Sequence, residues 1–168
     1  LSPIVAGIVV GGLWQVAVIF GVHWGITPVT VGNYASLGFD TFTALQASAV
    51  FSQAGAAFGV YFKSKNKELK EVSLPAAVTA VFGITEPVVY GVNLRLKKPM
   101  ICGCIAGAIG GAIAGAFNAV SWSYNMPGIA TIPAFFKVGY MTPFIGFIIS
   151  IIVSFVPVSY THLRAHET

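Results

Sequence analysis

The chain has 168 residues, of which 56% are hydrophobic and only 8% charged, and its mean hydropathy is +0.83. Soluble domains carry about 25% charged residues, so the composition excludes an ordinary soluble domain and indicates a membrane protein. The formal net charge of +4 lies in short basic clusters, which we interpret as a sign of membrane topology and not as a nucleic-acid-binding surface.

The first apolar run, Pro3 to Gly25, predicts a membrane-spanning helix, because about 20 apolar residues cross a bilayer. The next segment, Ile26 to Asp40, is rich in Gly and Thr and contains Pro28, which predicts a broken helix or a loop. Asp40 is an outer-loop residue or, the better interpretation, a cap of the following helix. Thr41 to Phe62 is the second spanning candidate. We expect its polar side chains to face protein or a cavity: Gln46, Ser48, Ser52 and Gln53.

Two basic segments flank the next apolar stretch, Val72 to Leu94. KSKNKELKE, residues 63–71, predicts a solvated loop, and RLKK occupies residues 95–98. Short Lys- and Arg-rich loops tend to stay cytoplasmic, so both stay inside only if the stretch between them enters the membrane and returns. Each arm allows about 11 residues, roughly 17 Å as a helix, which reaches the middle of a ~30 Å core. We predict a re-entrant hairpin with its tip at Gly83–Pro87.

Two further spans complete the prediction. Pro99 to Val120 carries a glycine at every fourth position from Gly103 to Gly115, a ridge suited to close helix packing. Ser121 to Lys137 is loop-like, and Val138 to Val156 is the last span. The expected fold is an all-α polytopic membrane protein with about four transmembrane helices plus the re-entrant hairpin.

The two ends of the chain are unusual. It begins without an initiator Met or a signal-peptide n-region, so we expect a piece of a longer protein. The last eleven residues, VSYTHLRAHET (158–168), resemble a translated sequencing adapter and are expected to be non-native; a natural juxtamembrane tail is the alternative. Their exclusion leaves His23 as the one native histidine.

Glu86 is the strongest candidate site residue. A carboxylate inside a membrane costs about 2.5–3.5 kcal/mol on insertion scales, so its presence at the predicted tip indicates a function, such as accepting hydrogen bonds from a polyhydroxylated ligand. The alternative is that it caps the N-terminus of a half-helix. Thr85 is a weaker candidate, because a Thr hydroxyl can bond local carbonyls. His23, beside Trp24, is a binding residue or an interfacial one.

No nucleophile–base pair or nucleotide-binding loop is visible. Cys102 and Cys104 form a C-x-C pattern without companion ligands, which predicts packing residues and not a metal site. We therefore predict no cofactor and no metal, and no catalytic machinery for bond making in this chain alone.

The run GITEPVVYGVNLRLKKP, residues 83–99, resembles the signature of the membrane-embedded IIC component of bacterial sugar phosphotransferase systems, in the glucose superfamily. GVHWGITPV and KNKELKEVSLPAAVTAVFGITEP fit the same family. The resemblance covers residues 1–157 and corresponds to the C-terminal half of a IIC domain. The flanks SQAGAAFGVYFKSKNKELK and GCIAGAIGGAIAGAF are most similar to β-glucoside-type permeases, and sucrose and trehalose types are close competitors.

This resemblance implies a homodimeric, multi-pass permease in the bacterial cytoplasmic membrane. Such a permease delivers a sugar to a IIB domain, which phosphorylates it in a phosphoenolpyruvate-dependent chain with IIA and HPr upstream. It also implies that Glu86 and His23 contact the sugar, with Thr85 as a neighbour in the motif. The chain would then belong to a protein-N(pi)-phosphohistidine–sugar phosphotransferase, although it has no phosphorylated Cys or His site of its own.

A different class of function stays open, an ion- or proton-coupled secondary transporter of a small polar solute in which Glu86 titrates. It has the same intramembrane acid in its favour. The scarcity of other acids and the single native histidine argue against a proton relay.

Overall fold

The computed structural model describes the backbone of residues 2–165 and the side chains of residues 2–156. Within that part of the chain the regular structure is helical, without a β-strand, which confirms the all-α prediction. In chain order the α-helices are α1 (Pro3–Ile19), α2 (Thr27–Leu37), α3 (Phe42–Lys63), α4 (Lys67–Val81), α5 (Glu86–Val88), α6 (Leu94–Leu96), α7 (Lys98–Ala116) and α8 (Met141–Ala165). Val22–Ile26 and Ile129–Phe135 are 3₁₀-helices, and Val89–Asn93 is a π-helical turn.

Helix α3 is the centre of the bundle. It contacts α1, α4, α7 and α8, and nearly all of its residues from Thr43 to Val60 are buried. Many of them are Ala, Gly or Ser, whose small side chains let neighbouring helices approach closely. Ser48, Ser52 and Gln53 are each 0% exposed, which confirms that these polar side chains face protein.

The glycine ridge of α7 packs on α1 backbone to backbone. A Cβ atom added at Gly107 would collide with the carbonyl oxygen of Gly11, and one added at Gly111 would collide with that of Gly7. The contact is reciprocal, because Cβ atoms added at Gly7 and Gly11 would meet the carbonyl oxygens of the same two α7 residues. The predicted ridge is therefore confirmed, and it fixes the position of α1.

The first apolar run breaks earlier than predicted. Helix α1 ends at Ile19 and not at Gly25, because Gly21 adopts a left-handed conformation with a φ of 72°, which stops helix propagation. The chain then turns through the 3₁₀-helix Val22–Ile26.

Of the two alternatives predicted for Ile26 to Asp40, a broken helix or a loop, the loop is wrong for most of the segment, since α2 occupies Thr27–Leu37. Pro28 lies in the first turn of α2, where a proline is tolerated because the backbone N–H there needs no intrahelical partner. The helix ends only at Gly38, which has a φ of 77°.

The basic segment 63–71 is only partly a loop. Helix α4 already begins at Lys67, because Asn66 accepts a hydrogen bond from the backbone N–H of Leu69 at 3.3 Å. Glu68 lies in the first turn, where an acidic side chain interacts favourably with the helix dipole. The segment is exposed or partly exposed, as predicted. The prediction that it is a loop is wrong from Lys67 onwards, where α4 begins.

The predicted break in the next stretch is confirmed. Helix α4 ends at Val81, Gly83 takes a φ of 101°, and helical structure restarts at Glu86. Pro87 lies in the first turn of α5 and so helps to start a helix instead of breaking one. Because α5 and the π-helical turn contact α4, the chain folds here into a helical hairpin.

The two basic segments meet at the open end of this hairpin. Arg95 and Leu96 line the same surface depression as Asn66 and Leu69. The 15 residues of α4 extend for about 22 Å as a helix, so this arm is longer than predicted. The shared depression shows that the two ends of the hairpin lie next to each other.

The last helix begins at Met141 and not at Val138, because Gly139 has a φ of 89°. The backbone of α8 continues to Ala165, whereas the side chains after residue 156 lie outside the described part. The expectation that residues 158–168 are non-native therefore falls largely outside it.

The helices differ in whether their length and composition would let them cross a bilayer. Among the described residues, α7 is the one helix that is long and apolar enough to span a bilayer by itself. Pro3–Ile19 and Met141–Val156 are shorter apolar helices.

The α1–α7 contact yields a stability prediction. Replacing Gly111→Ala forces the two backbones apart and should destabilise the protein by about 1–3 kcal/mol, the usual cost of overpacking. Gly32→Ala is the control, because no atom lies within 4 Å of a Cβ added there and alanine favours helix. Thermal unfolding in detergent, followed by circular dichroism, should show a lower midpoint for the first variant only. Equal midpoints for both variants would contradict the packing described.

Candidate functional site

A cleft opens where α1 ends. It is formed by the turn after α1, the first turns of α2 and α3, and the segment Tyr124–Met126, and its cavity volume is about 60 Å³. Gly21 redirects the chain at this point, which brings the 3₁₀-helix Val22–Ile26 to the edge of the cleft. The residues lining it are Trp14, His23, Trp24, Ile26, Thr27, Thr30, Phe42, Thr43, Gln46, Tyr124, Asn125 and Met126.

His23 lies in this cleft between two indole rings. Its imidazole meets the Trp14 ring edge-on at a centroid distance of 5.9 Å, and the Trp24 ring lies 5.5 Å away. Its Nδ1 atom is buried and has no hydrogen-bond partner among the described residues. The aromatic neighbours fix the ring, and the free nitrogen leaves it able to bind a ligand group.

The lining of the cleft is neutral apart from this histidine. Its described residues include no Asp, Glu, Lys or Arg, but they do include Gln46 and Asn125 as well as three threonines. Gln46 is the one α3 side chain of the predicted polar group that reaches the cleft. A mostly apolar pocket with a few polar groups is typical of a small-molecule site.

Asp40 is buried next to the cleft and holds Thr43, one of the lining residues, in place. Its carboxylate is 1% exposed and accepts hydrogen bonds from the Thr43 backbone N–H at 2.6 Å, the Thr43 hydroxyl at 2.7 Å and the Asn33 side chain at 2.7 Å. This bond to the first turn of α3 is the predicted kind of capping interaction, but Asp40 lies one residue before Thr41, which occupies the N-cap position. Because Thr43 lines the cleft, Asp40 is a positioning residue and not a contact residue.

The segment after α7, which the sequence predicts to be loop-like, also supplies residues to the cleft. Asp40 and Ser121 pair through two backbone hydrogen bonds of 2.9 and 2.8 Å, which hold this segment against the start of α3. Asn125 then lines the cleft. The signal in the sequence was the run SWSYN, which is polar and aromatic within an otherwise apolar chain.

Glu86 and Thr85 lie at the hairpin break and do not line this cleft. Thr85 is 4% exposed and precedes α5 without a side-chain cap bond. Glu86 is half-buried in the first turn of α5. No hydrogen bond or ion pair of its carboxylate to another described residue is present.

The break and the cleft are nevertheless connected. A Cβ atom added at Gly83 would lie 2.8 Å from the carbonyl oxygen of Pro127 and 3.6 Å from the Cβ of Met126, and Met126 lines the cleft. On the other arm, the Tyr90 hydroxyl can donate to the carbonyl oxygens of Ile19 at 3.2 Å or Val18 at 3.3 Å. The hairpin is thus anchored to both segments that form the mouth of the cleft.

The cysteines take no part in the site. Cys102 and Cys104 are unpaired and pack against apolar side chains. Among the described residues, no group of three His, Cys, Asp or Glu side chains is placed to hold a metal ion.

The family model for the phosphotransferase system EIIC component matches residues 1–107. The chain belongs to this family. EIIC proteins are integral membrane permeases, so the membrane protein indicated by the composition is confirmed.

Three relatives of this EIIC chain illustrate its place in the family. The chain is 44% identical over 135 residues to the β-glucoside-specific EIIBCA component of Halalkalibacterium halodurans, covering 80% of the chain and 21% of the relative. It is 45% identical over 129 residues to that of Dickeya chrysanthemi, covering 77% and 20%. It is 36% identical over 128 residues to the sucrose-specific EIIBC component of Bacillus subtilis, covering 76% and 28%.

The EIIC chain spans 20% to 28% of the length of these three relatives. No solved structure matches it significantly.

Proposed function

We propose that this chain forms the sugar-binding part of a phosphoenolpyruvate-dependent phosphotransferase permease, which binds a β-glucoside and presents it to a IIB domain for phosphorylation. The observation that carries the proposal is the cleft around His23, which combines aromatic rings with neutral hydrogen-bonding groups. A glycoside has hydroxyl groups at its edges and apolar C–H groups on its faces, and the two kinds of lining group match these two kinds of surface. The names of the relatives point to the same class of substrate.

In this proposal His23, Glu86 and the neighbouring Thr85 bind the sugar. His23 has a buried nitrogen without a partner, which a ligand hydroxyl can satisfy. Glu86 has no protein partner among the described residues, so its carboxylate is available to accept hydroxyl hydrogen bonds, which are strong when the acceptor is charged. The proposal places the ligand in the cleft and extends it past Met126, which lines the cleft and lies next to Gly83 of the break, towards Glu86.

The proposed topology has four transmembrane spans, with the helical hairpin as a re-entrant element. Irregular backbone such as that at residues 82–85 is tolerated at membrane depth only where protein buries it or it lines a cavity. The basic segments at the open end of the hairpin would be cytoplasmic. The cleft, together with the Asp40–Ser121 pairing, would then lie towards the outer side of the bacterial cytoplasmic membrane.

The proposed partners follow from the fusion names of the relatives, which carry B and, in some, A components next to the C component. A IIB domain would receive the sugar, with IIA and HPr upstream and a homodimeric arrangement in the membrane. Residues 1–157 would form part of the IIC domain, and residues 158–168 would be non-native. A proton-coupled transporter is less well supported, because the described cleft lining carries no carboxylate.

The sugar-binding roles can be tested in a hybrid permease, in which this chain replaces its matched segment in the Halalkalibacterium halodurans component. Glu86→Ala should lower β-glucoside uptake and phosphoenolpyruvate-dependent phosphorylation about 10- to 100-fold, because a hydrogen bond to a charged group contributes about 1.5–3 kcal/mol. His23→Ala should lower both as well. Glu68→Ala, which changes an exposed acid in the first turn of α4, is the control and should leave both unchanged.

Two results would contradict this assignment. Normal uptake by the Glu86→Ala hybrid would remove Glu86 from the site. Uptake by vesicles that lack phosphoenolpyruvate but carry a proton gradient would favour the coupled transporter.

The re-entrant topology predicts which residues a membrane-impermeant thiol reagent can reach in intact cells. In a hybrid whose native cysteines are replaced by alanine, Lys65→Cys and Arg95→Cys should react only after the membrane is permeabilised. Ser123→Cys, in the proposed outer segment, should react without permeabilisation. If Lys65→Cys and Arg95→Cys react from opposite sides, the hairpin crosses the membrane and the proposed topology is wrong.

A further inference from the structure

Asn125 is a polar residue of the cleft lining that has no role in the sugar binding proposed above. Asn125 lines the cleft, and its side-chain Oδ1 is buried without a hydrogen-bond partner among the described residues. A buried acceptor without a partner is costly, and buried polar groups nearly always have one. The protein itself supplies none here.

The orientation of this amide is determined by its other contacts. The Nδ2 atom of Asn125 donates to the backbone carbonyl of Ser123 at 2.6 Å and to the hydroxyl of Ser121 at 2.9 Å. A carbonyl oxygen can only accept, so a reversed amide would place two acceptors against each other. The atom without a partner is therefore the oxygen, which needs a donor.

Only two cleft-lining residues in the described part have such a buried, unpartnered side-chain atom, and they are His23 and Asn125. They come from distant segments of the chain, one before α2 and the other after α7. The other side chains with such atoms, Gln15, Ser48, Gln53, Asn93 and Trp122, are not in the cleft lining. The two atoms without a partner thus belong to residues of one cleft, and a hydrogen-bonding ligand there would satisfy both.

We propose that Asn125 is a further sugar-binding residue, whose Oδ1 accepts a hydrogen bond from a ligand hydroxyl and so helps to select the sugar. This inference rests on the proposed function of the cleft. A hydroxyl is the fitting donor because the described lining offers no charged side chain that would select an ion. Since Oδ1 is shielded from solvent in this structure, the segment must open slightly to admit the ligand.

The surroundings of Asn125 allow such an opening. It lies outside regular secondary structure, between α7 and the 3₁₀-helix Ile129–Phe135. Its neighbours Tyr124 and Met126 are each 53% exposed. Their side chains can therefore move without disrupting the bundle core.

The test measures binding in the hybrid permease, held in nanodiscs without phosphoenolpyruvate, for methyl β-glucoside and its monodeoxy analogues. The unchanged hybrid should bind methyl β-glucoside about 5- to 10-fold more tightly than the analogue that lacks the hydroxyl held by Asn125, as expected for a neutral hydrogen bond. In Asn125→Ala this one preference should disappear while the others remain, because the deletion of either partner removes the same interaction. Ser123→Ala is the control. Asn125 donates to the backbone carbonyl of Ser123 and not to its side chain, so this variant keeps that hydrogen bond and should retain every binding preference of the unchanged hybrid.

The outcomes distinguish a failure of the role given to Asn125 from a failure of the proposed function. If Asn125→Ala folds and keeps all preferences of the unchanged hybrid, Asn125 does not bind the sugar. If that variant does not fold, Asn125→Ser takes its place, because its hydroxyl can still bond within the segment but cannot reach as far into the cleft. Failure of the unchanged hybrid to bind any glycoside would instead overturn the proposed function, and this inference with it.

Discussion

The contact between the backbones of α1 and α7 is the constraint on which the rest of the structure depends. Glycines on both helices remove the side chains that would hold the helices apart, so the carbonyl groups of one helix touch the Cα atoms of the other. Inside a membrane there is no hydrophobic force between helices, and close packing of this kind is a principal source of association. It fixes the end of α1, and therefore the turn at Gly21 that carries His23 into the cleft.

Buried polar pairs then attach the other elements to this frame. The Asn93 amide of the π-helical turn donates to the side-chain oxygen of Gln53 at 2.7 Å and to its backbone carbonyl at 3.0 Å, which ties the hairpin to α3. Asp40 accepts a hydrogen bond from the first turn of α3 and pairs through its backbone with Ser121, so it holds the segment that carries Asn125 against α3. These bonds hold the cleft lining at fixed positions, whereas the cleft itself keeps two polar atoms unpaired. A binding site is expected to combine a lining held in place by hydrogen bonds with polar atoms that are free to bind a ligand.

The sequence predicted the features that follow from local chemistry. The glycine ridge was visible from its spacing, the break near Gly83 from its glycine and proline, and the cap from Asp40 before an apolar run. The errors concern features that depend on position within an element. Pro28 indicates a broken helix or a loop in the sequence, yet it lies in the first turn of α2, where proline is favoured. The helical start of α4 was missed because the charges of KNKELKE suggested a loop, although Asn66 is a good cap.

The site residues divide in a similar way. His23 could be singled out because it is the one histidine of residues 1–157, and the structure places it in a cleft. The polar and aromatic run SWSYN marks the segment of Asn125 as unusual, but it does not place Asn125 at the cleft, because that placement depends on the long-range pairing of Ser121 with Asp40. The sequence indicates Glu86 because an acid in an apolar segment is costly. The sequence does not show that Gly83 of the same break lies next to Met126, which lines the cleft.

A cryo-electron microscopy structure of the hybrid permease with a bound β-glucoside would test most directly whether the cleft and the hairpin break form one site. We expect density for the sugar ring in the cleft beside Trp14 and His23, with one hydroxyl within hydrogen-bonding distance of Asn125 Oδ1 and another near the Glu86 carboxylate. Sugar density outside the cleft, or density that touches neither His23 nor Glu86, would contradict this expectation.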